Sequence, residues 1–239
     1  MLFRQLFDRD TCTYTYLLAD ETTGDAVLID SVLEHVDRDV KLVRELGVNL
    51  KAVIETHVHA DHVTGGGSIR QQTGAKYAIS AASNVACADI QLEDGDPVVF
   101  GAHTLEVRNT PGHTRGCASF YLPDSGMIFT GDALFIRGCG RTDFQGGSAR
   151  TLFASVHGRI LTLPEHTRIY PGHDYNGRTV TTVEEEKFHN PRLGGGRSVE
   201  EFEEIMAGLD LSYPARIDDA LPANLDCGVV QPARVSADV

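Results

Sequence analysis

The chain has 239 residues, 41% hydrophobic and 23% charged, with a formal net charge of −13, which is long enough for a packed core and ordinary for a soluble globular protein. An acidic balance of that size argues against a general nucleic-acid binder, which needs a basic surface to displace counterions. No apolar run approaches the roughly 18–20 residues of a membrane span, so neither nucleic acid nor membrane is an expected partner.

The start, MLFRQLFDRD, is broken by Arg4, Asp8 and Arg9 and lacks the apolar stretch of a signal peptide, so the expected location is cytoplasmic. CTYTYLLAD reads as a strand, DETTGD as a turn and AVLID as a short buried strand. Between 31 and 46, Val32, Leu33, Val36, Val40, Val43 and Leu46 recur at helical spacing, and Gly47 stops the run. KAVIET is a further buried strand that delivers the chain into His57, and a short helix is expected within HVTGGGSIRQQTG. KYAIS, VVF, HTLEVRNT, CASFYL and MIFT read as strands, ARTLFASVHGRILTL as a helix, RIYPGH as a last strand, and TVEEEKFHN and VEEFEEIMAGL as helices. Strands with an occasional helix, then strands, then helices, pack most naturally as stacked sheets with helices outside. No repeat or linker interrupts the chain, so one domain is expected over 1–239, with a short C-terminal extension from about 194 to 239.

Five cysteines, Cys12, Cys87, Cys117, Cys139 and Cys227, are scattered with no C-x-x-C pair. They read as free thiols in a reducing compartment rather than a disulfide framework, four of them as small buried hydrophobes.

Metal-ligand residues stand at the ends of four expected strands, in THVHADH (56–62), PGHTRG (111–116), FTGDALF (129–135) and YPGHDY (170–175). A sheet fixes the backbone there while loops let side chains converge. His57 and His59 are two apart, which on extended backbone points both rings the same way, whereas Asp61 and His62 follow a turn. Glycines 112, 131 and 172 beside the candidate ligands permit tight turns or close backbone approach. Such a set implies metal binding.

H-x-H-x-D-H followed by His113, Asp132 and His173 resembles the metallo-β-lactamase superfamily, which implies an α+β fold, an αββα sandwich. In hydrolytic members of that superfamily the pattern builds two sites, which would place His57, His59 and His113 on one metal, Asp61, His62 and His173 on a second, and Asp132 between them. The stretches FTGDALFIRGCGRTDFQGGSARTLFASV (129–156) and YPGHDYNGRTVTTVEEEKFHNPRL (170–193) are similar to persulfide dioxygenases, and this likeness extends well beyond ligands. That resemblance implies one Fe(II) per chain on His57, His113 and Asp132, with His59, Asp61, His62 and His173 as outer groups or alternative ligands. The implied reaction is an oxidoreductase one: glutathione persulfide, O₂ and water give glutathione and sulfite. A 2-His-1-carboxylate face leaves iron positions for substrate sulfur and O₂, whereas a hydrolase needs only a bound hydroxide.

Glutathione carries two carboxylates, so Arg137 and Arg141 in RGCGR are candidate substrate groups, with Cys139 as a pocket-lining thiol and Tyr175 as a hydroxyl within reach. The plainer expectation for either arginine is a structural pairing with Asp143 or Glu184, and for 184–186 a solvated helix start. Some persulfide dioxygenases carry a fused rhodanese sulfurtransferase. None is expected here, so the persulfide would come from a separate sulfurtransferase or from free glutathione. The oligomeric state stays open, a homodimer included. The alternative is a glyoxalase II-type hydroxyacylglutathione hydrolase with a dinuclear site. It would be expected to have a longer basic helical region than the roughly forty-five residues after NPRL, where basic residues are sparse.

Overall fold

A computed structural model of the chain describes residues 1–229. Strands β1 (Leu2–Phe7), β2 (Tyr14–Ala19) and β3 (Asp25–Ile29) lead into helix α1 (Val36–Glu45), then β4 (Asn49–Glu55), α2 (Gly66–Thr73), β5 (Lys76–Ser80) and β6 (Ile90–Leu92). The second half begins with β7 (Pro97–Phe100), β8 (His103–Asn109), β9 (Ala118–Leu122) and β10 (Met127–Gly131), followed by α3 (Ala149–Ser155) and β11 (Arg168–Pro171). It ends with β12 (Thr181–Thr182), α4 (Val183–His189), α5 (Val199–Ala207) and α6 (Ile217–Leu225).

The strands form two six-stranded sheets, ordered β1-β2-β3-β4-β5-β6 and β12-β11-β10-β9-β8-β7. Period-two alternation decides which side chains meet between them. Tyr16 and Leu18 of β2, Val27 and Ile29 of β3, Phe120 and Leu122 of β9 and Phe129 of β10 fill the inter-sheet core. Their sequence neighbours turn outward: Leu17 and Leu28 pack under Val36, Val40 and Val43 of α1, and Ile128 packs beneath Leu152 of α3 and Phe202 of α5. Each fully buried side chain of this size contributes about 1.5–3 kcal/mol. The result is the expected α+β architecture, an αββα sandwich.

Most elements fall where the sequence places them. The helix expected over 31–46 is α1, entered through a 3-10 turn at Leu33–His35, and ARTLFASVHGRILTL divides into α3 and a wider π turn at Val156–Ile160. Strand β6 and helix α6 were not foreseen. Of residues 194–229, α5 joins the core beneath β10 through Phe202 and Met206, and α6 lies against the segment that follows His57. The reading of all five cysteines as thiols is corrected: Cys87 and Cys227 are disulfide-bonded across 140 positions, and Cys12, Cys117 and Cys139 are free. Residues 230–239 of the expected C-terminal extension lie outside the described residues. No described helix is long and apolar enough to cross a membrane.

Candidate metal centre

The loops leaving β4, β8, β10 and β11 meet at one edge of the sandwich and bring His57, His113, Asp132 and His173 together. One donor atom each from His57, His113 and Asp132 lies within 4.8 Å of the others. Their hydrogen bonds leave one free donor atom on each.

His57 is buried, and its Nδ1 is 2.9 Å from the Thr56 hydroxyl. That hydroxyl already donates to Asp30 Oδ2, so the imidazole must be the donor to Thr56, which leaves the Nε2 lone pair free. Burial, reinforced by the nearby His59 ring, lowers the His57 pKa well below the usual value and keeps the ring neutral, as a ligand must be. His113 Nδ1 donates to the Arg141 carbonyl at 2.7 Å, and its Nε2 stands 3.6 Å from Asp132 Oδ2. Asp132 Oδ1 accepts from His173 Nδ1 at 2.6 Å, which leaves Oδ2 for a cation. Burial alone would raise the Asp132 pKa, but His173, by its charge and its hydrogen bond, holds it far below the ordinary carboxylate range. A Cβ on Gly172 would lie 2.6 Å from Asp132 Oδ1, so only glycine lets this backbone pass.

The outer groups form a second tier. His173 donates through Nε2 to Asp61 Oδ2 at 2.9 Å, with the Thr13 hydroxyl 3.0 Å from the same nitrogen. Burial opposes charge on His173, but the two carboxylates outweigh it and hold its pKa well above the usual value. His62 Nδ1 lies 3.1 Å from Asp61 Oδ2. The His57 and His59 rings are neighbours, 4.1 Å between centroids, although β4 ends at Glu55 and the backbone between them is not strand. His59 Nε2 faces Asp30 Oδ1 at 3.4 Å and Glu55 Oε2 at 3.3 Å. Burial opposes its charge, but those two carboxylates raise its pKa to about 10. Donor atoms of His59 cluster with Asp61 and His62, and with Asp30 and Glu55, not with His113 and Asp132.

A cavity of about 490 Å³ opens beside His113, Asp132 and His173. Arg137, Cys139, Arg141 and Tyr175 all line it, in unequal ways. The Arg137 guanidinium is paired with Glu186 and, at 2.6 Å, with Glu185, two and one residues past the Glu184 expected from sequence. Glu186 is fully buried and also accepts from Asn190, so 184–186 is not simply a solvated helix start. Arg141 forks onto Asp143 at 2.7 Å, donates to the Ser212 carbonyl and lies over the Phe144 ring. The Cys139 side chain is buried, its sulfur 3.9 Å from Met206 Sδ; burial, only partly offset by Arg192, raises its pKa to about 11. Tyr175 is 68% exposed and stacks in parallel on His173, 6.0 Å between centroids.

Sequence reasoning missed several cavity groups. Arg192 donates to the Cys139 carbonyl at 3.0 Å and, among the described residues, has no carboxylate partner. Arg178 lines the cavity paired with buried Asp174, and Leu211, Ser212 and Pro214 form part of the wall. Arg192 stands in the NPRL segment already singled out, and that is the only signal that pointed to it.

Two nitrogens and one carboxylate oxygen make a 2-His-1-carboxylate donor set, which suits a divalent iron and leaves further coordination positions open toward the cavity. Residues 10–173 match the profile of the metallo-beta-lactamase superfamily. The chain is 53% identical to the mitochondrial persulfide dioxygenase ETHE1 of Homo sapiens, over 97% of this chain and 91% of that protein. The crystal structure of ETHE1 from Myxococcus xanthus superposes with a TM-score of 0.92 at 52% identity, covering 96% of this chain and 100% of that one. A hydroxyacylglutathione hydrolase of Cereibacter sphaeroides is 37% identical, over 72% of this chain and 67% of that protein. The chain therefore belongs to the metallo-beta-lactamase superfamily and, within it, to the persulfide dioxygenase family.

Proposed function

We propose that the protein oxidises glutathione persulfide with O₂ and water to glutathione and sulfite, at a single Fe(II) held by His57, His113 and Asp132. The observation that carries this is the pre-oriented 2-His-1-carboxylate set beside an open cavity. The reaction balances: the terminal sulfur gives up four electrons, O₂ accepts four, and water supplies the third oxygen of sulfite. Iron bound there supplies open positions for a sulfur ligand and O₂, together with redox activity that a zinc hydrolase lacks.

The protein's own groups orient and shield. Thr56 and the Arg141 carbonyl hold the two imidazoles in the metal-binding tautomer. His173 fixes the Asp132 carboxylate by one oxygen. Arg192, which has no carboxylate partner among the described residues, offers its guanidinium to a substrate carboxylate, which suits the fork geometry of that group. Arg137 and Arg141 shape the wall while already bonded to acids. Tyr175 stands at the mouth with its ring on His173, where its hydroxyl can meet substrate.

The test is O₂ uptake with glutathione persulfide compared with thioester hydrolysis on the same anaerobically purified sample, alongside metal analysis. About one iron per chain and sulfite formation are expected. Two zincs per chain with thioesterase activity alone would overturn the reading in favour of the dinuclear hydrolase.

A further inference from the structure

The segment 59–64 has no strand or helix to satisfy its backbone, so its polar groups must find other partners. Three of them meet one side chain from the far end of the chain. The Asn224 amide nitrogen donates to the carbonyls of His59 and His62, each at 2.8 Å, and its oxygen accepts from Thr64 N at 2.8 Å. Asn224 is buried, and those bonds use both its donors and its acceptor. The two carbonyls flank Asp61, the residue that accepts from His173, which in turn orients Asp132.

The contact is built to be close. A Cβ on Gly67 would collide with the Cys227 carbonyl, and one on Gly228 with the Thr64 carbonyl, so glycines on both sides let backbone lie on backbone. Gly67 N donates to the Cys227 carbonyl at 3.1 Å, and the Cys87–Cys227 bond fastens the same turn to the segment between β5 and β6.

We propose that Asn224 is a positioning residue of the metal centre: its amide clamps the 59–64 turn from outside, and through that turn holds Asp61 on His173 and His173 on Asp132. The inference rests on the reading of Asp132 as an iron ligand. It requires an amide specifically. Aspartate keeps the acceptor for Thr64 N but turns an oxygen toward two carbonyls, so Asn224→Asp loosens the turn despite its matching size.

The experiment is anaerobic Fe(II) binding by chelator competition on the full chain, with kcat and KM for glutathione persulfide at saturating iron. Asn224→Ala and Asn224→Asp are each expected to weaken iron binding by about 10-fold or more, with KM unchanged. Leu221→Ala, which trims an apolar contact of α6 and leaves the amide in place, controls for helix docking in general. Wild-type iron affinity in Asn224→Asp, or equal weakening in Leu221→Ala, would overturn the proposal. Where neither Asn224 variant folds, the wild type decides by reciprocity: Fe(II) must slow hydrogen exchange at the Thr64 amide, by about 5-fold or more. Unchanged exchange on loading with iron would overturn it equally. Absence of O₂ uptake by an iron-loaded wild type would instead refute the proposed reaction, since the binding and exchange measurements do not depend on it.

Discussion

His173 donates to Asp132 from Nδ1 at 2.6 Å and to Asp61 from Nε2 at 2.9 Å, so one buried ring joins two carboxylates. Both nitrogens are engaged, which leaves neither for a metal while those bonds stand. His173→Ala is therefore expected to weaken iron binding by about 10–100-fold without abolishing it, whereas Asp132→Ala, which removes the sole carboxylate donor, leaves no retained iron. Chelator competition on anaerobic samples separates the two. Complete loss of iron from His173→Ala would make His173 a ligand and bring back the dinuclear arrangement.

The cavity arginines should separate in the same way. Arg192 has no carboxylate partner among the described residues, so Arg192→Ala is expected to raise KM for glutathione persulfide with little change in kcat. Arg137→Ala leaves the buried Glu186 with its hydrogen bonds from Thr181 and Asn190 but without its cationic partner, and acts on stability instead. The cost is about 3 kcal/mol or less, because the arginine is itself partly exposed, and roughly 5–10 °C in Tm. Kinetics and thermal melts on both variants check this. A raised KM with unaltered Tm in Arg137→Ala would assign that guanidinium to substrate.

The positions of the candidate donors and of the histidine behind them were legible because each follows an apolar strand that names its own end: KAVIET before His57, MIFTG before Asp132, RIYP before Gly172 and His173. Stacked sheets with helices outside were legible from the order of strands and helices, and the αββα sandwich from the likeness to the superfamily. What escaped depends on contacts between distant segments. Arg137 meets Glu186 rather than Glu184 because the first turn of α4 presents Glu186 inward, a matter of helix rotation that a charge run does not reveal. Helix α6 carries Pro222 and buries Asn224, so its apolar stripe is short and interrupted. Strand β6 exposes Ile90 and Gln91 and buries only Leu92, which leaves no alternation to read. Two cysteines 140 positions apart share no spacing signal at all.

That disulfide should contribute measurably to stability. Closing a loop of 140 residues restricts the unfolded chain, by up to about 5 kcal/mol in the chain-entropy model and usually by less. Cys87→Ser, or reduction with a phosphine, is expected to lower Tm by roughly 5–15 °C. Reductant should have no further effect on the variant. Equal melting temperatures for oxidised wild type, reduced wild type and Cys87→Ser would show that the bond carries no load in solution.

Cys139 sits in the RGCGR stretch, between Arg137 and Arg141, and invites a role as a nucleophile. Its surroundings argue the reverse. The sulfur is packed against Met206 inside the core beneath β10, and burial raises its pKa to about 11. A thiol with that pKa is ionised to about one part in a thousand at pH 8, and the thiolate is the reactive form. Cys117, buried with a pKa raised to about 12, should be still less reactive, whereas half-buried Cys12 offers more access. Brief iodoacetamide treatment of the native protein at pH 8 should therefore modify Cys12 and spare Cys139 and Cys117, as read by peptide mass spectrometry. Raising the pH should increase Cys139 labelling about tenfold per unit while the fold persists, because the neutral form is the one the core stabilises. Rapid labelling of Cys139 at pH 8 would place a thiolate in the cavity and give that residue a chemical part in the reaction, whereas its protection leaves Cys139 as packing whose backbone carbonyl holds Arg192.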